Sequence, residues 1–487
     1  MELRAESAPS APHPREVVTR RALLVWFGGV ACYIVAITGR TSFGVASVDA
    51  IDRFGVDASR IAVFAAVQMG VYALAQIPTG LGIDKFGPRA MVIFGAALMG
   101  IGQFVLALTT SYPLAIGARV LIGAGDASAF LAVMRLIPYW FPLRKSPLFT
   151  QLTGAIGQTG QFISAVPFLA LLGATGWTAA FITLGAASML VAGLAVFVIK
   201  DLPDVDRVQE AGSASAGTAS AGTASADSAS AGPAGSTAAA NSVSLAIRLR
   251  KLVGAPVVWQ GFFMHYSCLM FQVFFLLMWG FPLMTLGMGL SPEQAGMVMA
   301  INTIVTVISG PLHGMLSARL GSTRHWAVMI FSSTMVLTWV LFFMTSTPRG
   351  VAAIIVVNVV IAICGAAANY GFDNVREGVS RTGVATATGL ANMGGFVSGM
   401  AASQGIGIVL DLSADGGEYS WADFQHAAWA GGAVWAVGMT GLLLATARRM
   451  RAAQRTGDAQ STRSQPRALM IHQTTDPKSA QKKNRDR

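Results

Sequence analysis

The sequence predicts an all-α polytopic membrane protein with twelve transmembrane helices in two pseudo-symmetric six-helix bundles. Three observations carry this. Hydrophobic residues make up 53% of the 487 and charged residues only 12%, against about 25% charged in a soluble domain. The apolar residues gather in twelve runs, each long enough to cross roughly 30 Å of hydrocarbon as a helix. A low-complexity segment divides these runs six and six, and the two sets echo each other in sequence.

The runs lie at 22–48, 59–82, 88–110, 113–137, 148–173, 177–199, 257–286, 293–317, 325–346, 350–371, 384–410 and 424–447. Several are β-branched and glycine-rich, but an open strand cannot satisfy its backbone in lipid, so they are read as helices. The first run is too long for a cleavable signal and no A-x-A-like site follows it. Residues 1–21 read as a short solvated tail. Residues 22–200 form the first bundle, 201–252 a linker, 253–447 the second bundle and 448–487 a basic tail. The net charge of +11 sits mostly in that tail, whose eleven Lys/Arg and three Asp leave +8. A tail of this kind is not a nucleic-acid-binding face.

Orientation follows from Lys and Arg, which favour the cytoplasmic side. With both termini in the cytoplasm, 28 of the 34 basic residues fall on that side, and only Arg53, Arg60 and Arg349 lie in outer loops. The expected location is the inner (plasma) membrane. Residues 211–240 are almost entirely Ala, Gly, Ser and Thr, with a five-residue near-repeat (ASAGT, ASAGT, ASADS, ASAGP) over 214–233. Having no large apolar side chain to bury, this linker core is expected to be disordered. Residues 244–252 look like a short basic amphipathic stretch. Cys32, Cys268 and Cys364 are far apart, with no C-x-x-C pair, so neither a disulfide framework nor a zinc site is indicated. No cofactor is called for.

The loop after the second helix carries Gly80, Asp84, Lys85, Gly87 and Arg89. The loop after the eighth carries Gly314, Ala318, Arg319, Gly321 and Arg324. The leading glycines are 234 residues apart, and the first helices of the two halves 235. Two independent markers thus agree on an internal duplication. Gly80 and Gly87 are suited to a tight turn and close approach, and Asp84 to the positive end of the third helix.

Gly80 to Arg89 matches every fixed position of G-x-x-x-D-(R/K)-x-G-x-(R/K), and Arg119 with Gly123 matches R-x-x-x-G on the fourth helix. The chain therefore resembles the major facilitator superfamily over about residues 20–447. Gly154, Gly157, Gly160 and Pro167 on helix 5, and Gly176, Trp177 and Phe181 at helix 6, fit the same pattern. Within the superfamily it is most similar to the anion:cation symporters. Arg40 and Ala46 resemble their helix 1 pattern; Gln76, Pro78 and Gly80 resemble their Q-x-P-x-G; Arg119, Gly123, Gly125 and Asp126 resemble R-x-x-x-G-x-G-E; and Trp140 to Pro142 resemble W-F-P. Gly39 stands where that family has an acid, Asp126 where it has Glu, and helix 7 lacks the Arg that the organophosphate branch uses. The last departure argues against phosphate esters.

The resemblance implies that the Gly80–Arg89 loop latches the halves in an outward-open state. With Ala318 in place of the acid, the second copy should latch weakly or not at all. It also implies that Asp126 is the protonation site; Arg119, two turns away on the same face, reads as its proton-coupling partner or as a substrate ligand.

From the residues alone, an ionisable group inside a span is a functional candidate. Arg40 lies roughly 13 Å deep, where transporter sites lie, and can bind a carboxylate bidentately. The alternative is a snorkelling or structurally paired Arg. A permanent Asp–Arg structural pair is likewise the alternative for Asp126. Arg135 reads as a structural inner-end residue. Gln158, Gln161, His265, Gln272, Asn302 and Asn392 are candidate cavity groups, each also able to serve as an interhelical hydrogen bond. Asp373, Arg376 and Glu377 read as an inner-gate cluster or as loop charges, and the aromatics as mostly lipid-facing.

The expected function is secondary active transport of a small organic anion with a proton, by a chain working as a monomer in the bilayer, with no nucleic-acid partner. Two alternatives share the scaffold: a proton-antiporting drug or metabolite exporter, and a non-transporting membrane sensor. No nucleophile–base constellation lies outside the spans, so an enzyme is not expected.

Overall fold

The computed structural model describes residues 16–56, 58–203, 247, 249–380, 383–414 and 419–464. The linker core 211–240 and most of both tails, for which disorder or solvation was expected, lie outside the described residues. Among these residues the chain is helical throughout.

Twelve spanning helices run in chain order. In the first half, α1 is Arg20–Val45, α2 Ala58–Phe86, α3 Pro88–Leu108 and α4 Tyr112–Trp140. Helices α5 (146–175) and α6 (177–198) follow without a loop and are parted by Gly176 at φ 76°. In the second half, α7 covers 256–287, α8 is Pro292–Leu320, α9 Arg324–Phe343, α10 covers 351–378, α11 is Val384–Ala414 and α12 Trp421–Ser464. By length and apolarity alone, eight stretches qualify as spans. Two of them, Ser146–Val198 and Glu293–Phe343, each hold two helices; α2 and α7 complete the twelve.

Local chemistry sets the ends. Thr19 caps α1 by accepting from the Ala22 amide at 3.1 Å. Ser291 and Gln294 form a capping box at α8, with Pro292 in the first turn, where its missing N–H costs nothing. Gly87 (φ 87°) and Gly321 (φ 51°) make the tight turns into α3 and α9, a backbone region that side chains with a Cβ avoid. Two segments depart from the predicted runs. α1 stops at Val45 and a separate short helix, Ser47–Phe54, follows. α12 continues to Ser464, so the basic tail begins as helix.

Inside α7 the regular ladder fails. Two π-helical turns, Phe275–Trp279 and Leu283–Gly287, flank Gly280–Pro282. Pro282 has no N–H to donate, which is a recognised cause of such rearrangement. α10 likewise passes through a 3₁₀ turn at Ala366–Asn369.

Each half has its own apolar core. The first core continues into the ends of α7, α10 and α11 on the side bearing the chain termini, through Val258, Phe372, Val375 and Leu390. Small residues let helices approach within each half. A Cβ on Gly102 of α3 would fall 2.9 Å from the Ala118 carbonyl of α4. Gly102→Val should therefore force α3 off α4 at a cost of about 1–3 kcal/mol, read as a lower Tm of the purified protein; an unchanged Tm would show that the two helices can part there without loss.

Candidate functional site

Helices α1 and α4 bring two opposite charges together at the centre of the first half. Arg40 donates from Nε to Asp126 Oδ2 at 2.6 Å and from Nη2 to Oδ1 at 2.9 Å. Asp126 is wholly buried. The guanidinium lies 4.4 Å from the Tyr72 ring centre and 6.0 Å from that of Phe396 in the other half. A bidentate carboxylate and an aromatic face are what a guanidinium needs when water is withdrawn.

The partner of Asp126 is thus Arg40 and not Arg119, as expected from the sequence. Seven residues on one helix separate Cα atoms by roughly 10 Å, too far for direct pairing, whereas α1 presents Arg40 at the same level. Arg119 donates to Gln68 Oε1 at 2.5 Å and to the Gly39 carbonyl at 3.4 Å, and lies 4.2 Å from the Phe43 ring centre. It is buried behind the pair and outside the cavity wall. At Gly39, where the family has an acid, the ends of the Gln103 and Met99 side chains lie close: a Cβ would meet Gln103 Nε2 at 2.9 Å and Met99 Cε at 3.1 Å.

A cavity of about 200 Å³ lies between the halves. Arg40 is its only charged lining residue among those described. The other predicted cavity residues, Gln158, Gln161, His265, Gln272, Asn302 and Asn392, all reach its wall. They are not equally free. Asn392 donates to Tyr72 Oη at 3.2 Å and Gln76 Oε1 at 3.0 Å, which ties the two halves. Asn302 is held by Asn358 at 2.8 Å. Gln272 packs over Gly365, where a Cβ would come within 3.0 Å. His265 contacts the Ala368 carbonyl through Nδ1 at 3.1 Å. A carbonyl only accepts, so Nδ1 carries hydrogen, and Nε2 has no hydrogen-bond partner. Sequence reasoning missed the aromatic wall. Tyr33, Tyr72, Phe130, Phe372 and Phe396 line the cavity and are not lipid-facing. Gln151 and Asn369, also in the wall, were missed as well.

Toward the termini-bearing side the cavity is sealed. Asp84, at the end of α2, accepts from the Ala385 and Thr386 amides at 3.1 and 2.9 Å and from Thr386 Oγ1 at 2.7 Å. The carboxylate therefore caps the N-terminus of α11 in the other half. This corrects its expected place at α3; the macrodipole argument holds, but for a different helix. Gly80 makes the approach possible, since a Cβ there would lie 2.6 Å from Thr386 Cα. Its role is contact between helices, and the turn is made by Gly87 alone. Arg135 places Nε 3.8 Å from Asp84 Oδ1. Arg89 stays in its own half, its amide donating to Asp201 at 2.7 Å and its guanidinium to the Val196 carbonyl at 2.6 Å. Lys85 is exposed over Phe86.

The second copy of the loop also makes contact, contrary to the expectation of a weak or absent latch. Gly314 packs on Leu148, where a Cβ would lie 2.6 Å from Cα. The missing acid is replaced from α10. Asp373 accepts from Ser317 Oγ at 2.6 Å and from Arg376 at 3.1 Å. Arg376 in turn donates across the halves to Thr150 Oγ1 at 2.7 Å. Glu377 binds Arg324 bidentately at 2.7 and 2.8 Å. Gln151 completes the seal, donating to the Ala366 carbonyl and accepting from Asn369, both at 2.9 Å.

Comparison with known proteins agrees with this architecture. The sequence profile of the Major Facilitator Superfamily matches residues 29–403. A probable sulfoacetate transporter from Cupriavidus necator is 29% identical over 192 residues, 39% of this chain and 44% of that protein; the match thus spans less than half of that relative. A putative tartrate transporter from Agrobacterium vitis is 23% identical over 381 residues, 75% of this chain and 79% of the relative. A probable galactarate/D-glucarate transporter from Escherichia coli is 25% identical over 282 residues, 54% and 61% of the respective chains. Among solved structures, the superfamily transporter FucP in its outward conformation superposes with a TM-score of 0.58 at 14% identity, over 88% of this chain and 99% of that one. With the profile covering most of the chain and the fold matched nearly end to end, the protein belongs to the Major Facilitator Superfamily.

Proposed function

We propose that the protein carries a small organic anion together with a proton, by alternating access between its two bundles. The bidentate Arg40–Asp126 pair at the cavity wall is the observation that carries this reading. One guanidinium fork cannot grip two carboxylates equally. While Asp126 is ionised, it holds Arg40. Once Asp126 takes a proton, the neutral acid loses most of its grip, and Arg40 is free for a substrate carboxylate in the cavity. Loss of the proton returns Arg40 to Asp126 and displaces the substrate. Anion and proton are then bound and released together.

For a monoanion the cycle moves no net charge, so a pH gradient drives it. The membrane potential, worth about 2.3 kcal/mol per charge per 100 mV, does not. The relatives named for sulfoacetate, tartrate and galactarate or D-glucarate, all acids, support an anionic substrate. A cationic drug would meet Arg40 as a like charge. The distribution of Lys and Arg supports a cytoplasmic position for both termini, in the inner membrane. The sealed side is then cytoplasmic and the conformation outward-facing. Cavity and seal are built within one chain, which supports a monomer as the working unit.

In proteoliposomes with an internal pH dye, small carboxylates should trigger proton influx in the wild type. Arg40→Ala should lower uptake at least about 30-fold, because losing one partner of a buried charge pair costs about 2–5 kcal/mol; Arg40→Lys, which keeps the charge, should fall between. Asp126→Asn should keep anion exchange but lose proton influx and accumulation driven by a pH gradient. An Asp126→Asn protein that still accumulates substrate against its gradient would overturn the coupling assignment. Proton movement triggered only by cations would make the protein an exporter.

The seal is tested separately. Asp84→Ala removes three hydrogen bonds at the N-terminus of α11. A cysteine replacing the buried Thr388 should then react several-fold faster with an impermeant maleimide applied to inside-out vesicles. An unchanged rate would mean that the seal does not rest on Asp84.

A further inference from the structure

A second cavity, of about 720 Å³, lies in the other half, away from the substrate cavity and gate. Its walls come from α7, α9, α12 and one residue of α11. It follows α12 from Phe424 to Ala436, roughly 18 Å at 1.5 Å per residue. The slot is thus elongated along α12, and an extended hydrocarbon chain fits along it.

Polarity changes along the slot. Apart from tryptophan N–H groups, its polar lining residues are Gln425 and His426, both in the first turns of α12, on the side opposite the termini. Gln425 donates to the Phe343 and Thr345 carbonyls at 2.6 and 2.9 Å, joining α12 to the end of α9 at the mouth. Below the mouth the shaft is aromatic and aliphatic. Near the mouth stands Trp339. It is 8% exposed, and its indole N–H has no hydrogen-bond partner. Its ring is fixed by Phe343, stacked at 5.5 Å, and by Phe275 edge-on at 5.7 Å. A buried donor fixed in place without an acceptor is costly, and an apolar shaft does not hold water well enough to supply one.

We propose that one phospholipid of the leaflet opposite the termini seats an acyl chain in this slot, with an ester carbonyl accepting from Trp339 and the headgroup at the Gln425–His426 mouth. The occupant is set by the surroundings: the walls belong to spanning helices, the shaft is apolar, and the missing partner is an acceptor a turn or two below the surface. The deeper indole N–H of Trp435 stays unpaired under this arrangement. The seated chain lies against Phe271, Phe274 and Phe275 of α7. The neighbouring residues Gln272, Val273 and Leu276 face the substrate cavity.

The test uses full-length protein in phosphatidylcholine vesicles doped with a phosphatidylcholine carrying a diazirine along one acyl chain. After irradiation, labelled peptides are mapped. Label in 336–344 and 424–436 should exceed, several-fold, that at Leu190 and Phe197, which are 64% and 82% exposed on α6. Ala433→Phe and Ala436→Phe, each filling the slot, should lower slot labelling several-fold and leave Leu190 and Phe197 unchanged. Labelling in the slot no greater than on α6, and indifferent to filling, would reduce it to bulk lipid contact and overturn the proposal. So would protein–protein cross-links at the slot in place of lipid adducts. Should both filled variants fail to insert, the wild-type ratio of slot to α6 labelling decides the matter alone.

Discussion

A guanidinium at the depth of Arg40 has to be matched, and its match to Asp126 organises the first half of the protein. In hydrocarbon an unpaired charge is costly, and the pairing holds α1 and α4 in register by two short hydrogen bonds. Gly39 keeps the neighbouring position small enough for Gln103 and Met99 to close behind the pair. Tyr72 and Phe396 cover its open side. A buried ion pair is weak evidence for stability, since two apolar side chains of the same volume often serve as well. Its place at the wall of a cavity whose other described lining residues are uncharged is what the proposed use rests on. In the proposed cycle the pair is the element with two arrangements, and everything around it serves to make them exclusive.

The two halves meet differently from the way each holds itself together. Within a half, packing is apolar and continuous. Across the seal, the apolar core that runs into α7, α10 and α11 is joined by polar and glycine contacts: Asp84 on the α11 amides, Arg376 on Thr150, Gln151 on Ala366, and Gly80 and Gly314 against opposing backbone. The polar contacts are directional, and water can replace each one when the halves part; the apolar ones are given up at a cost. Both latches combine a small residue that admits the partner helix with polar groups that hold it. They differ in where the acid comes from, α2 itself in one copy and α10 in the other.

The fold was legible because lipid imposes a length and a composition on every span, and these survive in the sequence whatever the packing. Arg40 and Asp126 were legible for the same reason, as charges that hydrocarbon would otherwise exclude. Their pairing was not. A single sequence gives distances only along one helix, so Arg119 stood out as the neighbour of Asp126 while the true partner came from another helix. Asp84 was misplaced in the same way, its hydrogen-bond donors lying 301 and 302 residues away. The aromatic wall left no trace, because in helices apolar on every face nothing distinguishes Tyr72 or Phe372 from residues that face lipid. Tyr72 does lie four residues before Gln76, hence on its face, and this was the one signal that could have placed it.

Helix α7 lies between the two cavities. Gln272, Val273 and Leu276 line the substrate cavity, while Phe271, Phe274 and Phe275 line the aromatic slot. From Phe275 onward the helix passes through two π turns around Gly280–Pro282. A π turn holds an extra residue, so small changes in its register swing the following side chains about the axis. In the proposed cycle, a movement of α7 that closes the substrate cavity would also act on the slot, because one helix lines both, and whatever fills the slot would then bear on the cost of that step.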